Sequence, residues 1–103
     1  MARLGDLAQL VRSKNAGPFL LTFDILFADA GVYSRVKNTG ALGPELFARL
    51  YRVPPDQVMF AAYDAALAFK ATIPRPVPSG DPADTDVYGG QQFAPILDVE
   101  IPL

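Results

Sequence analysis

Nine consecutive residues, Phe19-Leu20-Leu21-Thr22-Phe23-Asp24-Ile25-Leu26-Phe27, constrain this chain more than any other stretch. In an extended strand Phe19, Leu21, Phe23, Ile25 and Phe27 share one face, and Leu20, Thr22, Asp24 and Leu26 share the other. The first face is wholly apolar; the second is apolar at its ends and polar in its middle. Residues 18–27 are therefore read as a central strand of a sheet. A sheet with one wholly apolar face needs a second layer over it.

The sequence supplies that layer. Residues 29–38 read as a helix, with Asp29 as N-cap, Val32, Tyr33 and Val36 on one face, and Gly40 where a C-cap glycine belongs. In a second short helix Pro44 suits the first turn, Glu45 and Arg49 are an i,i+4 pair, and Leu46, Phe47, Leu50 and Tyr51 form the apolar stripe; Pro54 and Pro55 end it. Residues 57–63 and 67–73 read as two antiparallel strands around Asp64-Ala65-Ala66. The second alternates Leu67, Phe69, Ala71 and Ile73 with Ala68, Lys70 and Thr72, and Pro74, Pro76 and Pro78 stop it.

The remaining segments are less patterned. Leu4, Leu7, Ala8 and Val11 fit a helical face, but residues 4–11 also suit an edge strand. Residues 12–18 are polar and end in Gly-Pro, as a loop does. Residues 74–90 form a long irregular segment, followed by a turn or short helix near residues 91–93 and a last strand over residues 96–101. Together these predict an α+β fold: a single mainly antiparallel sheet with helices on one face, near the βαββαβ ferredoxin-like order, in one domain over residues 1–103.

Composition narrows the chemistry. The 103 residues include no cysteine and no histidine, which excludes disulfides, thiolate nucleophiles, serine–histidine triads and zinc sites built on either residue. No cofactor or metal is expected. All nine basic residues precede position 76 together with six of the acids, and five acids with no base follow it. Neither part has the clustered lysine and arginine of a nucleic-acid surface. With no long apolar run at the start or elsewhere, neither a secretory signal nor a membrane span is expected, and the expected location is cytoplasmic.

Three groups of residues are candidates for function. Arg12, Ser13, Lys14, Asn15 and Gly17 place two cations, a hydroxyl, an amide and a glycine in one short stretch able to hold a carboxylate or phosphate, although a solvated turn has the same composition. Asp24, set among apolar residues, needs a partner, and Lys70 is a lone charge in another apolar strand. The two could pair across the sheet, as a structural ion pair or as catalytic groups. Asp84, Thr85 and Asp86, with Asp81 before and Tyr88, Gln91 and Gln92 after, line the long segment; Asp84-x-Asp86 has oxygen ligands for a hard cation but not a full set.

The strings DLAQLVRSKNAGPFLLTFDILF, RLYRVPPDQV, ALAFKATIPRP and DTDVYGGQQFAPILDVEIP cover nearly the whole chain. In them the sequence resembles an uncharacterised small-domain family that accompanies the acyclic terpene utilisation protein AtuA. AtuA-type proteins end in a ferredoxin-like domain whose opening is similar at Asp6, Leu7, Ala8, Arg12, Ser13, Lys14 and Gly17. Where that domain has Gly-Asp-Lys-Gly, this chain has Lys14-Asn15-Ala16-Gly17, so the acid is lost and the lysine displaced. The resemblance implies a strand for residues 4–11, an AtuA-like large partner, and pathways of branched or unsaturated carboxylic acids or their acyl thioesters.

Three readings follow. The chain is a small subunit of an AtuA-type complex, offering residues 12–17 and 81–92 to a shared site. Alternatively it is a lone lyase or isomerase, in which Arg12 and Lys14 bind a carboxylate or acyl thioester, Lys70 or Asp24 moves the proton, and Tyr88 assists. The third reading is a homo-oligomeric binding or assembly module joined through an exposed sheet edge and the acidic C-terminal part.

Overall fold

The computed structural model describes residues 1–75 and 92–103. In chain order the elements are β1 (Ala2–Arg3), α1 (Leu4–Leu7), β2 (Leu10–Asn15), β3 (Leu20–Leu26), α2 (Ala30–Thr39), α3 (Pro44–Tyr51), a 3-10 turn (Pro55–Gln57), β4 (Met59–Tyr63), a second 3-10 turn (Asp64–Ala66), β5 (Ala68–Pro74), α4 (Ala94–Leu97) and β6 (Glu100–Ile101).

Four strands form one antiparallel sheet in the order β2-β3-β5-β4. The alternation from Leu21 to Phe27 does what it predicts, whereas Phe19, expected on the same face, lies before the strand and is exposed. Strand β3 is central, and Leu21, Phe23 and Ile25 are buried beneath the helices. Helix α2 begins at Asp29, whose carboxylate accepts from the backbone N–H groups of Gly31 at 2.7 Å and Val32 at 3.1 Å. It ends at Gly40, where φ is +69°, a conformation that a side chain would strain. Helix α3 starts on Pro44 and buries Leu46, Phe47 and Ala48. The core joins sheet to helices through aromatic rings: Phe23 lies 5.5 Å from Phe47 and 4.7 Å from Tyr51, and Tyr33 lies 4.9 Å from Phe69.

Strands β3 and β4 are linked by the two helices and run in the same direction, with antiparallel β5 between them. This is a split βαβ unit. The βαββαβ order does not extend to the fourth strand. The position beside β3 is filled by β2, which precedes it in the chain, and not by a strand from the C-terminal end. The expected strand over residues 96–101 shrinks to Glu100–Ile101, paired with β1 in a separate two-stranded ladder. Ile96, expected in that strand, is fully buried in α4; its N–H donates to the Phe93 carbonyl at 2.9 Å, and its carbonyl accepts from Val99 N–H at 3.1 Å.

The start of the chain also differs from the strand that the resemblance implies. Residues 4–7 are a helical turn: Ala8 N–H donates to the Leu4 carbonyl at 3.0 Å, and Leu4 N–H donates to Val99 at 2.8 Å. Gly5 packs against α4 so closely that an added Cβ would lie 3.1 Å from the Leu97 carbonyl oxygen. The expected loop at residues 12–17 is mostly strand. Arg12, Ser13, Lys14 and Asn15 pair with Asp24, Phe23, Thr22 and Leu21, and the turn is confined to the residues around Gly17, at φ +82°. An edge strand shows water its polar side chains at alternate positions, so polar composition alone does not identify a loop.

Candidate functional site

Strand register sorts the sheet residues onto two faces. The inner face holds the rows Val11–Ile25–Phe69–Ala62, Ser13–Phe23–Ala71–Phe60 and Asn15–Leu21–Ile73. The outer face, away from the helices, holds Leu10–Leu26–Ala68–Tyr63, Arg12–Asp24–Lys70–Ala61 and Lys14–Thr22–Thr72–Met59. Residues adjacent in sequence thus diverge. Arg12 and Lys14 point outward, whereas Ser13 is buried on the inner face, where its Oγ accepts from Phe93 N–H at 3.1 Å. Asn15 accepts from Arg75 through its side-chain oxygen. The five residues proposed as one ligand cradle do not converge, because a strand alternates its side chains.

The outer face brings three candidates into one row. Asp24 lies between Arg12 and Lys70, as the pairing of two lone charges across the sheet predicts. The ion pair is with Arg12, whose Nε donates to the Asp24 carboxylate at 3.0 Å; the Asp24 side chain is only 15% exposed. Lys70 is exposed and therefore lacks the burial on which a role in proton transfer would rest. Two strand spacings put Arg12 and Lys70 about 10 Å apart. Below this row the Thr22 and Thr72 hydroxyls, both buried, are 3.1 Å apart. Around them the rim carries exposed Leu10, Leu20, Met59 and Tyr63 beside Arg12, Lys14 and Lys70.

Of the remaining candidates, Gln92 uses its backbone carbonyl to accept from the Tyr51 hydroxyl at 2.6 Å. Asp81, Asp84, Thr85, Asp86, Tyr88 and Gln91 lie outside the described residues. Among the described residues no three acidic side chains gather as a metal centre would need, and no helix is long and apolar enough to cross a membrane.

Sequence reasoning misses a second polar cluster. Tyr33 and Lys37, one turn apart on α2, both donate to Asp64 in the β4–β5 link, at 2.6 Å from the phenol and 2.8 Å from the ammonium. Burial, and then the bond to Asp64, push the Tyr33 phenol up to about 12. Lys37 and Tyr33 hold the Asp64 carboxyl below its ordinary value. The i,i+4 spacing of Tyr33 and Lys37 is readable in the sequence; that Asp64 sits opposite them is not. A cleft of about 630 Å³ is lined by Leu46, Arg49 and Leu50 of α3 and by Asp98, Val99 and Glu100 of the C-terminal segment.

A family profile described as a domain of unknown function (DUF4387) matches residues 4–100. Comparison with curated proteins and with solved structures gives no match.

Proposed function

The chain belongs to the DUF4387 family, and from that premise we propose that it is the small accessory subunit of an AtuA-type complex acting on branched or unsaturated carboxylic acids or their acyl thioesters. In this reading the outer face of the sheet docks on the large subunit. The observation that carries it is the rim, where Leu10, Leu20, Met59 and Tyr63 are exposed alongside Arg12, Lys14 and Lys70. Apolar side chains interspersed with arginine are the usual make-up of a protein interface. Arg12 is held by Asp24 on one side, and the Lys14 side chain is exposed on the same face. Both can turn toward a carboxylate presented by the partner's site, where they orient an acid and take no proton. The absence of histidine and cysteine, with Lys70 exposed, favours support of another chain's chemistry over chemistry of its own.

The test is co-purification of a tagged copy with an AtuA-like protein co-expressed with it. The wild-type chain should retain the partner, and Arg12→Glu with Lys14→Glu should weaken retention by about tenfold or more, equivalent to about 1.4 kcal/mol. Equal retention by the double variant, or activity of the chain alone, overturns the reading.

A further inference from the structure

The two edges of the four-stranded sheet differ in a way that bears on assembly. Edge strands are hazardous because their unpaired backbone groups accept another strand, and proteins protect them with charges, prolines or bulges. Edge strand β2, Leu-Val-Arg-Ser-Lys-Asn, carries Arg12 and Lys14. Edge strand β4, Met-Phe-Ala-Ala-Tyr, has no charge, no proline and no glycine, and pairs with β5 over all five residues without a bulge. Met59 is 61% exposed and Tyr63 52% exposed, so among the described residues the edge without such protection is also the apolar one.

We infer that β4 is a dimerisation edge, on which a second copy of this chain adds its own β4 antiparallel about a twofold axis through Ala61. Full overlap of two five-residue strands occurs only with Ala61 opposite Ala61. Met59 then faces the partner's Tyr63, and Phe60 faces the partner's Ala62, each twice by symmetry. Large residues meet small ones on the inner face, a thioether meets an aromatic ring on the outer face, and no charge faces a charge. A shallow depression of about 220 Å³, lined by Met59, Phe60, Ala61, Tyr63, Lys70 and Thr72, lies beside this edge. Each copy therefore brings both a depression and the aromatic ring that reaches over its partner's. The two four-stranded sheets become one of eight strands, leaving the Arg12 and Lys14 edges at its outer limits. This inference rests on the backbone edge of β4 and needs no second protein, so it can fail without the accessory-subunit reading failing; Met59 and Tyr63 lie both at this edge and on the rim of the outer face.

The test is the solution mass of the isolated chain by light scattering across a concentration series. The expected species is a dimer, twice 11.1 kDa. Ala61→Glu puts two carboxylates face to face on the axis while each faces Lys70 of its own sheet, and should raise the dissociation constant by at least about tenfold. Directly opposed residues bring their Cβ atoms to about 4.5–5.5 Å. The chain has no cysteine, so an Ala61→Cys variant treated with a short bis-maleimide linker should give a covalent dimer, whereas Leu10→Cys on the other edge should not. If Ala61→Glu fails to fold by circular dichroism, the linker result decides. A wild-type chain that is monomeric up to its solubility limit, a dimer unaffected by Ala61→Glu, or no linkage at position 61 overturns the inference.

Discussion

Tyr33 is the residue whose role is hardest to see from its neighbours in the chain. Its ring packs 5.9 Å from Phe27 and 4.9 Å from Phe69, and its hydroxyl reaches 31 residues ahead to Asp64. The ring belongs to the core and the hydroxyl ties α2 to the β4–β5 link. With its ionisation held up to about 12 in the fold, against 10.0 in a free chain, the protonated phenol is the stabilised form. Its contribution is fully present below pH 10 and is lost as pH rises through about 12. Tyr33→Phe should lower stability at neutral pH and reduce the fall in unfolding free energy between pH 10 and 12, measured by urea titration at stepped pH. Burial also pushes the Tyr51 phenol up, so some decline should remain in the variant. Asp24 and Lys70 make the opposite case. A lone charge in each of two apolar strands is a signal in the sequence itself, and register places them side by side. What the sequence leaves out is that Arg12 makes the closer bond, because its strand had the composition of a loop.

At the scale of elements, local chemistry is most reliable where a segment closes its own hydrogen bonds. Helix α2 is the clearest instance, with the Asp29 carboxylate taking two N–H groups of the first turn. Asp29→Ala should cost about 1 kcal/mol, while Asp29→Ser should keep most of the stability; urea midpoints compare the two. Helix α3 and strand β5 follow their apolar periods in the same way. Elements whose bonds are made by distant partners are not legible in this manner. The turn at residues 4–7 is held by Val99, 95 positions on, and α4 lies against it. Strand β2 exists because β3 offers it a ladder, not because its own sequence insists on extension.

At the scale of the whole molecule, a single cluster of buried residues runs from Leu4 to Ile101. Phe47 is fully buried at its centre, between Phe23 and Phe60. Phe47→Ala should cost about 3–5 kcal/mol, against a total of about 5–15 kcal/mol for ordinary domains. The expected outcome is a chain that has lost most of its cooperative urea transition, whereas Arg35→Ala on the exposed face of α2 should change the midpoint little. The sequence by itself determined the helix-covered antiparallel sheet, its central strand, the two helices and the β4–β5 pair, because apolar spacing and capping act within a dozen residues. It also determined which chemistry is absent, since residue types need no structure to be counted. Tertiary structure alone decided which strand fills the place beside β3, how the two ends of the chain pack together, and which cation reaches Asp24. Those outcomes depend on contacts between distant segments, where burial of shared apolar surface and pairing of backbone groups outweigh the weak local preferences of either partner.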